Sequence, residues 1–245
     1  MTNSRKNAGM ADELSSDSLF SDPKRLLLDL AQVYSLPALL ALIVSRLTET
    51  SRVALARIWL MQPISECDGC PMPDACQAQT QCLRLVASGG RSITAPEVVW
   101  DRLDGAFRQF PLGVRKVGRI AATGEAIEVP DLADPPPDWI ARPDWLRAEG
   151  VRGFAGQPLV FRDEVLGVLA VFARGAIGSE CMGWLRMVAN HAAAAIATAR
   201  AFAEVEALKK RLELENEYLR EEVNQHRTGR DGGAEPSPGG SGPAD

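Results

Sequence analysis

The sequence predicts an α+β domain built on a buried sheet and followed by a long helix with a coiled-coil seam, and three patterns carry that prediction. Two apolar runs, Ala155 to Phe161 and Val165 to Ala173, flank the polar tripeptide Arg162-Asp163-Glu164, which is the signature of two strands joined by a tight hairpin. The second run, VLGVLAVFA, is apolar at almost every position and rich in β-branched residues, so it reads as an interior strand covered on both faces. Near the end of the chain, Phe202, Lys209, Asn216 and Val223 fall at heptad position a and Val205, Leu212 and Leu219 at d.

The first 20 residues are polar and are expected to be disordered. From Ser21 the pattern turns helical: Ser21 or Asp22 can cap, Pro23 suits the first turn, and Leu26, Leu27, Leu30, Val33 and Tyr34 recur at helical spacing. Ser35-Leu36-Pro37 ends that helix and starts another, with Leu39, Leu40, Ile43, Val44 and Leu47 on its apolar face. Val53 to Met61, VALARIWLM, is the first strong strand; Leu83 to Ala87 is the second, and Gly89-Gly90 turns the chain after it. Glu97 to Phe110 has the spacing of an amphipathic helix that buries Val98, Leu103, Phe107 and Phe110. Ile120 and Ala121 end a short helix at the Thr123-Gly124 turn, and Ala126 to Val129 is a short strand stopped by Pro130. In the hairpin, Pro158 has no amide to donate, which places its strand near an edge or bulge. Gly167 marks a close approach of another backbone or of a ligand, and tight core packing is the commoner reason.

With 245 residues, 46% of them hydrophobic, the chain can bury one sizeable core once its polar ends are set aside. A net charge of -5 argues against a nucleic-acid footprint, and no stretch approaches the roughly 18 uninterrupted apolar residues of a membrane span. A soluble, cytoplasmic protein is expected. In such a reducing compartment clustered thiols point to metal or redox chemistry before structural disulfides.

Four of the five cysteines crowd into ECDGCPMPDACQAQTQC, with the spacing C-x2-C-x5-C-x5-C. Cys67, Cys70, Cys76 and Cys82 are candidate ligands of a zinc ion or an iron-sulfur cluster, because a Cys-x2-Cys step lets two thiolates reach one ion and two more complete a tetrahedral set. Neither a standard zinc spacing nor a ferredoxin run matches fully, so a thiol redox sensor and an unliganded loop remain open. The fifth, Cys181, reads as a small buried side chain. Further on, Asp134 to Asp138 is a proline-rich loop leading to Trp139 and Trp145, which either cap a ligand cavity or anchor the loop on the core. Arg142, Arg147 and Arg152 bring positive charge to the same region.

A leading helix, the strand VALARIWLM, the phrase VGRIAATGEAIEVPDL, the hairpin EGVRGFAGQPLVFRDEVLGVLAVFAR and the closing helix MVANHAAAAIATARAF, in this order, resemble a GAF domain over Ser21 to Phe202. That resemblance implies a central antiparallel sheet of about six strands flanked by helices, often with a small-molecule pocket on one side. Trp139, Trp145, Arg147 and Phe154 are the candidate residues of such a pocket. The next segment, AEVEALKKRLELENEYLREEVNQ, resembles the linker that follows the N-terminal GAF sensor of sigma-54-dependent activators of the formate-hydrogenlyase regulator type. The phosphate loop and helix-turn-helix of those activators do not appear; residues 228–245 are a low-complexity tail. The expected organisation is therefore 1–20 disordered, 21–202 GAF domain, 203–227 coiled-coil linker helix and 228–245 tail.

Asn216 at a core position suits a parallel two-stranded register, in which Glu215 faces Arg220 and Glu222 faces Arg227 of the second helix; Lys209 at position a argues the other way. The resulting expectation is a homodimeric signal-sensing module, in transcriptional regulation or signal transduction, with an unknown small-molecule ligand and a sigma-54-dependent activator or other signalling protein as a possible partner. No direct nucleic-acid or membrane contact is expected. The two histidines leave few general bases, and a non-enzymatic role is expected. The alternatives are a thiol-dependent GAF-type reductase of methionine sulfoxide and a pure dimerisation scaffold.

Overall fold

The computed structural model describes residues 23–30, 32, 33, 35–64, 70–76, 79–132 and 140–231, with backbone only at 23, 27 and 222–231. The chain divides into two units, Met1–Ala197 and Thr198–Asp245. The expected disorder of residues 1–20 lies outside the described residues, as do the side chains of Leu27 and Tyr34.

In the first unit, α1 (Pro23–Leu30) and α2 (Leu36–Leu47) precede β1 (Val53–Pro63), and β2 (Gln81–Gly90) follows. Next come β3 (Gln109–Pro111), α3 (Arg115–Thr123), β4 (Ile127–Val129), α4 (Pro143–Ala148), the hairpin β5 (Gly153–Phe161) and β6 (Glu164–Ala173), and α5 (Ser179–Asp231). The six strands among the described residues form one sheet in the order β3-β2-β1-β6-β5-β4, and every neighbouring pair is antiparallel.

The hairpin turns on Arg162 and Asp163, both at positive φ (48° and 68°), as a two-residue turn of the hand that suits twisted strands requires. β5 is an interior strand, yet β4 covers only Phe154 to Gly156 of it, so Pro158 sits where the strand has a free edge and its missing amide costs no ladder bond. At Gly167 the explanation is the close backbone approach: a Cβ there would collide with the Trp59 carbonyl of β1. Gly124 closes α3 in the left-handed conformation at φ 69°, its amide donating to the Ile120 carbonyl.

One face of the sheet is covered by α1, α2 and α5. Leu39, Leu40, Ile43, Val44 and Leu47 of α2 are all buried, as their spacing predicts, and they meet Ile58 of β1 and Leu169 of β6 in one cluster with Leu185, Ala189, Ala192 and Ile196 of α5. Arg46 reaches back to Asp29 at 2.7 Å and ties α2 to α1.

Two expectations fail. Glu97 to Phe110 is not a helix: the Trp100 amide donates to the Gly90 carbonyl, the Leu85 amide to the Arg108 carbonyl, and Gln109 to Pro111 pair with β2. The neighbouring strand takes the backbone groups that a helix would pair internally, and Val98 and Leu103 stay exposed. Trp145 is on α4, not in a loop; Pro143 opens that helix and Asp144 stands in its first turn.

The second unit, taken by itself, is the helix from Thr198 onward, with Phe202, Val205, Leu212 and Leu219 each more than half exposed. Its backbone stays helical through Asp231, past the start of the expected tail at Thr228. Residues 232–245 lie outside the described residues.

Candidate functional site

The other face of the sheet carries a second, separate core, and it is aromatic where the first is aliphatic. Alternation along β1 sends Ile58 to the helix side and Leu55, Arg57 and Trp59 to this side; β5 contributes Phe154 and β6 Phe172. Phe154 and Phe172 meet edge to face at 5.1 Å, Phe172 meets Trp145 at 5.8 Å, and Trp145 meets Trp100 at 5.4 Å. The Trp59 indole donates to the Phe107 carbonyl at 3.0 Å, which holds the irregular segment before β3 against the sheet.

These walls leave a cavity of about 190 Å³. Its charged lining is entirely cationic among the described residues: Arg57, Arg115, Lys116 and Arg142. Arg57 donates from Nε to the Ser88 hydroxyl at 3.1 Å, and burial lowers its pKa from the ordinary value. Lys116, in the first turn of α3, holds its ammonium 4.9 Å from the centre of the Phe154 ring. Burial, with the neighbouring Arg115 charge adding to it, lowers the Lys116 pKa from 10.5 to about 8.

A buried polar clamp fixes α4 over this face. Glu149, directly after α4, accepts from the Ser92 hydroxyl (2.6 Å), the Ile93 amide (2.8 Å) and Arg174 (3.1 Å). Burial alone would raise its pKa, but these donors outweigh burial and hold it below the usual carboxylate value. Arg174 also donates to the carbonyls of Ser51, Arg91 and Glu149, so one guanidinium joins segments from three parts of the chain.

Of the pocket residues predicted from sequence, Trp145 and Phe154 line the cavity. Arg147 does not; its side chain is 77% exposed and pairs with Asp144 at 2.6 Å. Trp139 lies outside the described residues, between wall positions Leu132 and Ile140. Sequence reasoning missed Arg57 and Lys116. The signals were there: Arg57 is the one charge inside the apolar run VALARIWLM, and Lys116 lies four residues before Ile120 on the face that α3 buries.

Among the cysteines, Cys70 and Cys76 bring their sulfurs to 3.5 Å, and the Met72 amide donates to Cys70 Sγ at 3.4 Å. Burial first, then the Cys70 thiol and the charges of Cys70 and Cys82, raise the Cys76 pKa to about 11. Cys82 is fully buried on β2 and accepts a 3.6 Å contact from Gln62; Cys67 lies outside the described residues. The Cys70–Cys76 separation fits two thiolates on one tetrahedral zinc, about 3.8 Å apart for Zn–S bonds of about 2.3 Å. Among the described residues no group of three or more His, Cys, Asp or Glu side chains is placed to hold a metal, so the four-thiol set is not assembled there. None of the described cysteines lines the cavity.

Comparison with known proteins locates this architecture. The sequence matches the GAF domain family over residues 35–196. A search of curated proteins finds no match. Among solved structures, the free methionine-R-sulfoxide reductase of Neisseria meningitidis, in complex with its substrate, is similar with a TM-score of 0.52 at 17% identity, over 73% of this chain and 88% of that one. The reduced form of the Staphylococcus aureus reductase gives 0.50 at 14%, over 71% and 91%. The GAF domain of a phosphoenolpyruvate-protein phosphotransferase from Coxiella burnetii gives 0.49 at 22%, over 74% and 94%. These neighbours correct the expectation of a non-enzymatic role: enzymes carry this fold, so the fold does not exclude catalysis. Among the described residues no helix is long and apolar enough to cross a membrane. The family match spans more than half of the chain and agrees with the six-stranded antiparallel sheet and its flanking helices: the chain belongs to the GAF domain family.

Proposed function

We propose that this protein is a cytoplasmic signal-sensing module that binds a small molecule in the aromatic cavity and reports through a dimeric C-terminal helix, in transcriptional regulation or signal transduction. The observation that carries this reading is the cavity itself, about 190 Å³, walled by tryptophan and phenylalanine with cations among them. A cavity kept open inside a well-formed core forfeits packing energy, which a ligand would restore. Support for the output end comes from the heptad seam, where Phe202, Val205, Leu212 and Leu219 are 51–68% exposed in the single chain, a row of large apolar side chains that a second copy would cover. The likeness of this segment to the linker of sigma-54-dependent activators makes such an activator a candidate partner. Sedimentation equilibrium tests the dimer: the wild type should sediment as a dimer and Leu212→Glu/Leu219→Glu as a monomer, and a wild-type monomer would remove the output half of the proposal.

The Cys70–Cys76 contact favours a second function alongside the first, a metal or redox centre in the loop after β1 that would take zinc or an iron-sulfur cluster. Cys70, Cys76, Cys82 and Cys67 would supply thiolate sulfur, and the centre would order the loop when bound. Metal analysis after anaerobic purification, with Cys70→Ala/Cys76→Ala as control, tests this. The reductase alternative is decided by thiol-dependent turnover of free methionine-R-sulfoxide.

A further inference from the structure

The cavity has the dimensions and charge of one chemical class of ligand. We infer that it takes a single-ring aromatic carboxylate, with the ring between Trp59, Trp145 and Phe154 and the carboxylate facing Arg57 and Lys116. This deepens the small-molecule reading of the same cavity and rests on it.

Size is the first argument. A closed apolar cavity of about 150 Å³ holds benzene, so about 190 Å³ accommodates one ring and a substituent the size of a carboxylate. Shape is the second. The rings of Trp145, Phe172 and Phe154 meet successively edge to face, and such rigid walls suit a flat guest better than a branched aliphatic one.

Charge is the third argument, and it separates an anion from a neutral ring. Arg57 projects from the middle of a buried strand into an aromatic surface, and among the described residues no carboxylate pairs with it; its one hydrogen bond there goes to the neutral Ser88 hydroxyl. Lys116 approaches from α3 across the Phe154 ring. Arg57, held in an apolar wall, carries a desolvation cost that a bound anion offsets. A guanidinium presents a planar fork that matches a carboxylate. Arg115 on α3 and Arg142 before α4 add to the positive potential, and none of the described lining residues is an acid.

The groups facing Lys116 therefore make anion binding pH-dependent. Its ammonium is charged at pH 7 and neutral well above about 8, so affinity for a carboxylate should fall as the pH rises towards 9.5.

Calorimetric titration of the full chain with benzoate, benzamide and acetate tests the assignment. Benzoate should bind at least tenfold more tightly than either the neutral ring or the ringless anion. Arg57→Met and Lys116→Met should each weaken benzoate tenfold or more and weaken benzamide by much less, with folding checked by circular dichroism. The pH effect should vanish in Lys116→Met. Equal binding of benzoate and benzamide, or of benzoate and acetate, would overturn the assignment while leaving a small-molecule cavity. Silence of all three probes alongside binding from a wider metabolite panel would do the same. No binding from any compound would overturn the cavity's sensing role as well.

Discussion

The two faces of the sheet are built from the same strands and end differently. Towards α1, α2 and α5 the buried side chains of the core are aliphatic, from Leu39 and Ile43 through Ile58 and Leu169 to Ile196. Towards α3 and α4 they are aromatic, with Arg57 and Lys116 in the wall and a cavity between them. Alkyl chains repack to fill space, whereas rings locked edge to face resist collapse. One face thus supplies stability, and the other gives some up to keep a site open.

The largest effect should come from the clamp that supports the open face. Arg174→Met leaves Glu149 buried without its cation and should cost about 3–5 kcal/mol, read as a lower urea midpoint. The same carboxylate sets an acid limit. Its pKa is depressed in the folded state, so its contribution is present above the ordinary carboxylate range and is lost as pH falls through the depressed value.

Next in size is Ile43→Ala on the closed face, expected to cost about 2–5 kcal/mol, with ligand affinity unchanged once the variant is folded. A loss of affinity as large as the loss of stability would mean that the two faces are not independent.

On the open face the effect turns on pH. Lys116→Met removes a charge that burial disfavours, so the variant should gain on the wild type by about 1–3 kcal/mol at pH 7 relative to pH 10.5. The cost of the charged lysine is fully present below its folded pKa of about 8 and disappears as pH rises towards 10.5, so wild type and variant should converge in thermal melts over that window. Persistence of the gap at pH 10.5 would show that packing, not charge, separates them. The smallest effect belongs to Leu103, 46% exposed in the irregular segment before β3: Leu103→Ser should change stability by less than about 0.5 kcal/mol, where an amphipathic helix would have made it costly.

Elements with a strong repeat were legible in the sequence. The apolar face of α2, the interior strand VLGVLAVFA, the hairpin at Arg162-Asp163 and the helical backbone of the last segment all follow from spacing that acts within a few residues. The candidate site was legible only in part: Trp145 and Phe154 line the cavity, Arg147 points away, and the deciding cations were overlooked. A periodic pattern says that a side chain is buried without saying what faces it.

The sequence alone therefore settled the strands and helices that carry a strong repeat and which of their sides leave water, because propensity and periodicity are local properties of the chain. The fold settled that Arg57 and Lys116 share one cavity, that Glu149 meets Ser92 and Arg174, and that Trp100 and Arg108 bond to β2 in a segment that does not coil. Those outcomes depend on contacts between residues far apart along the backbone, and their free energies exist only once the sheet has brought the partners together.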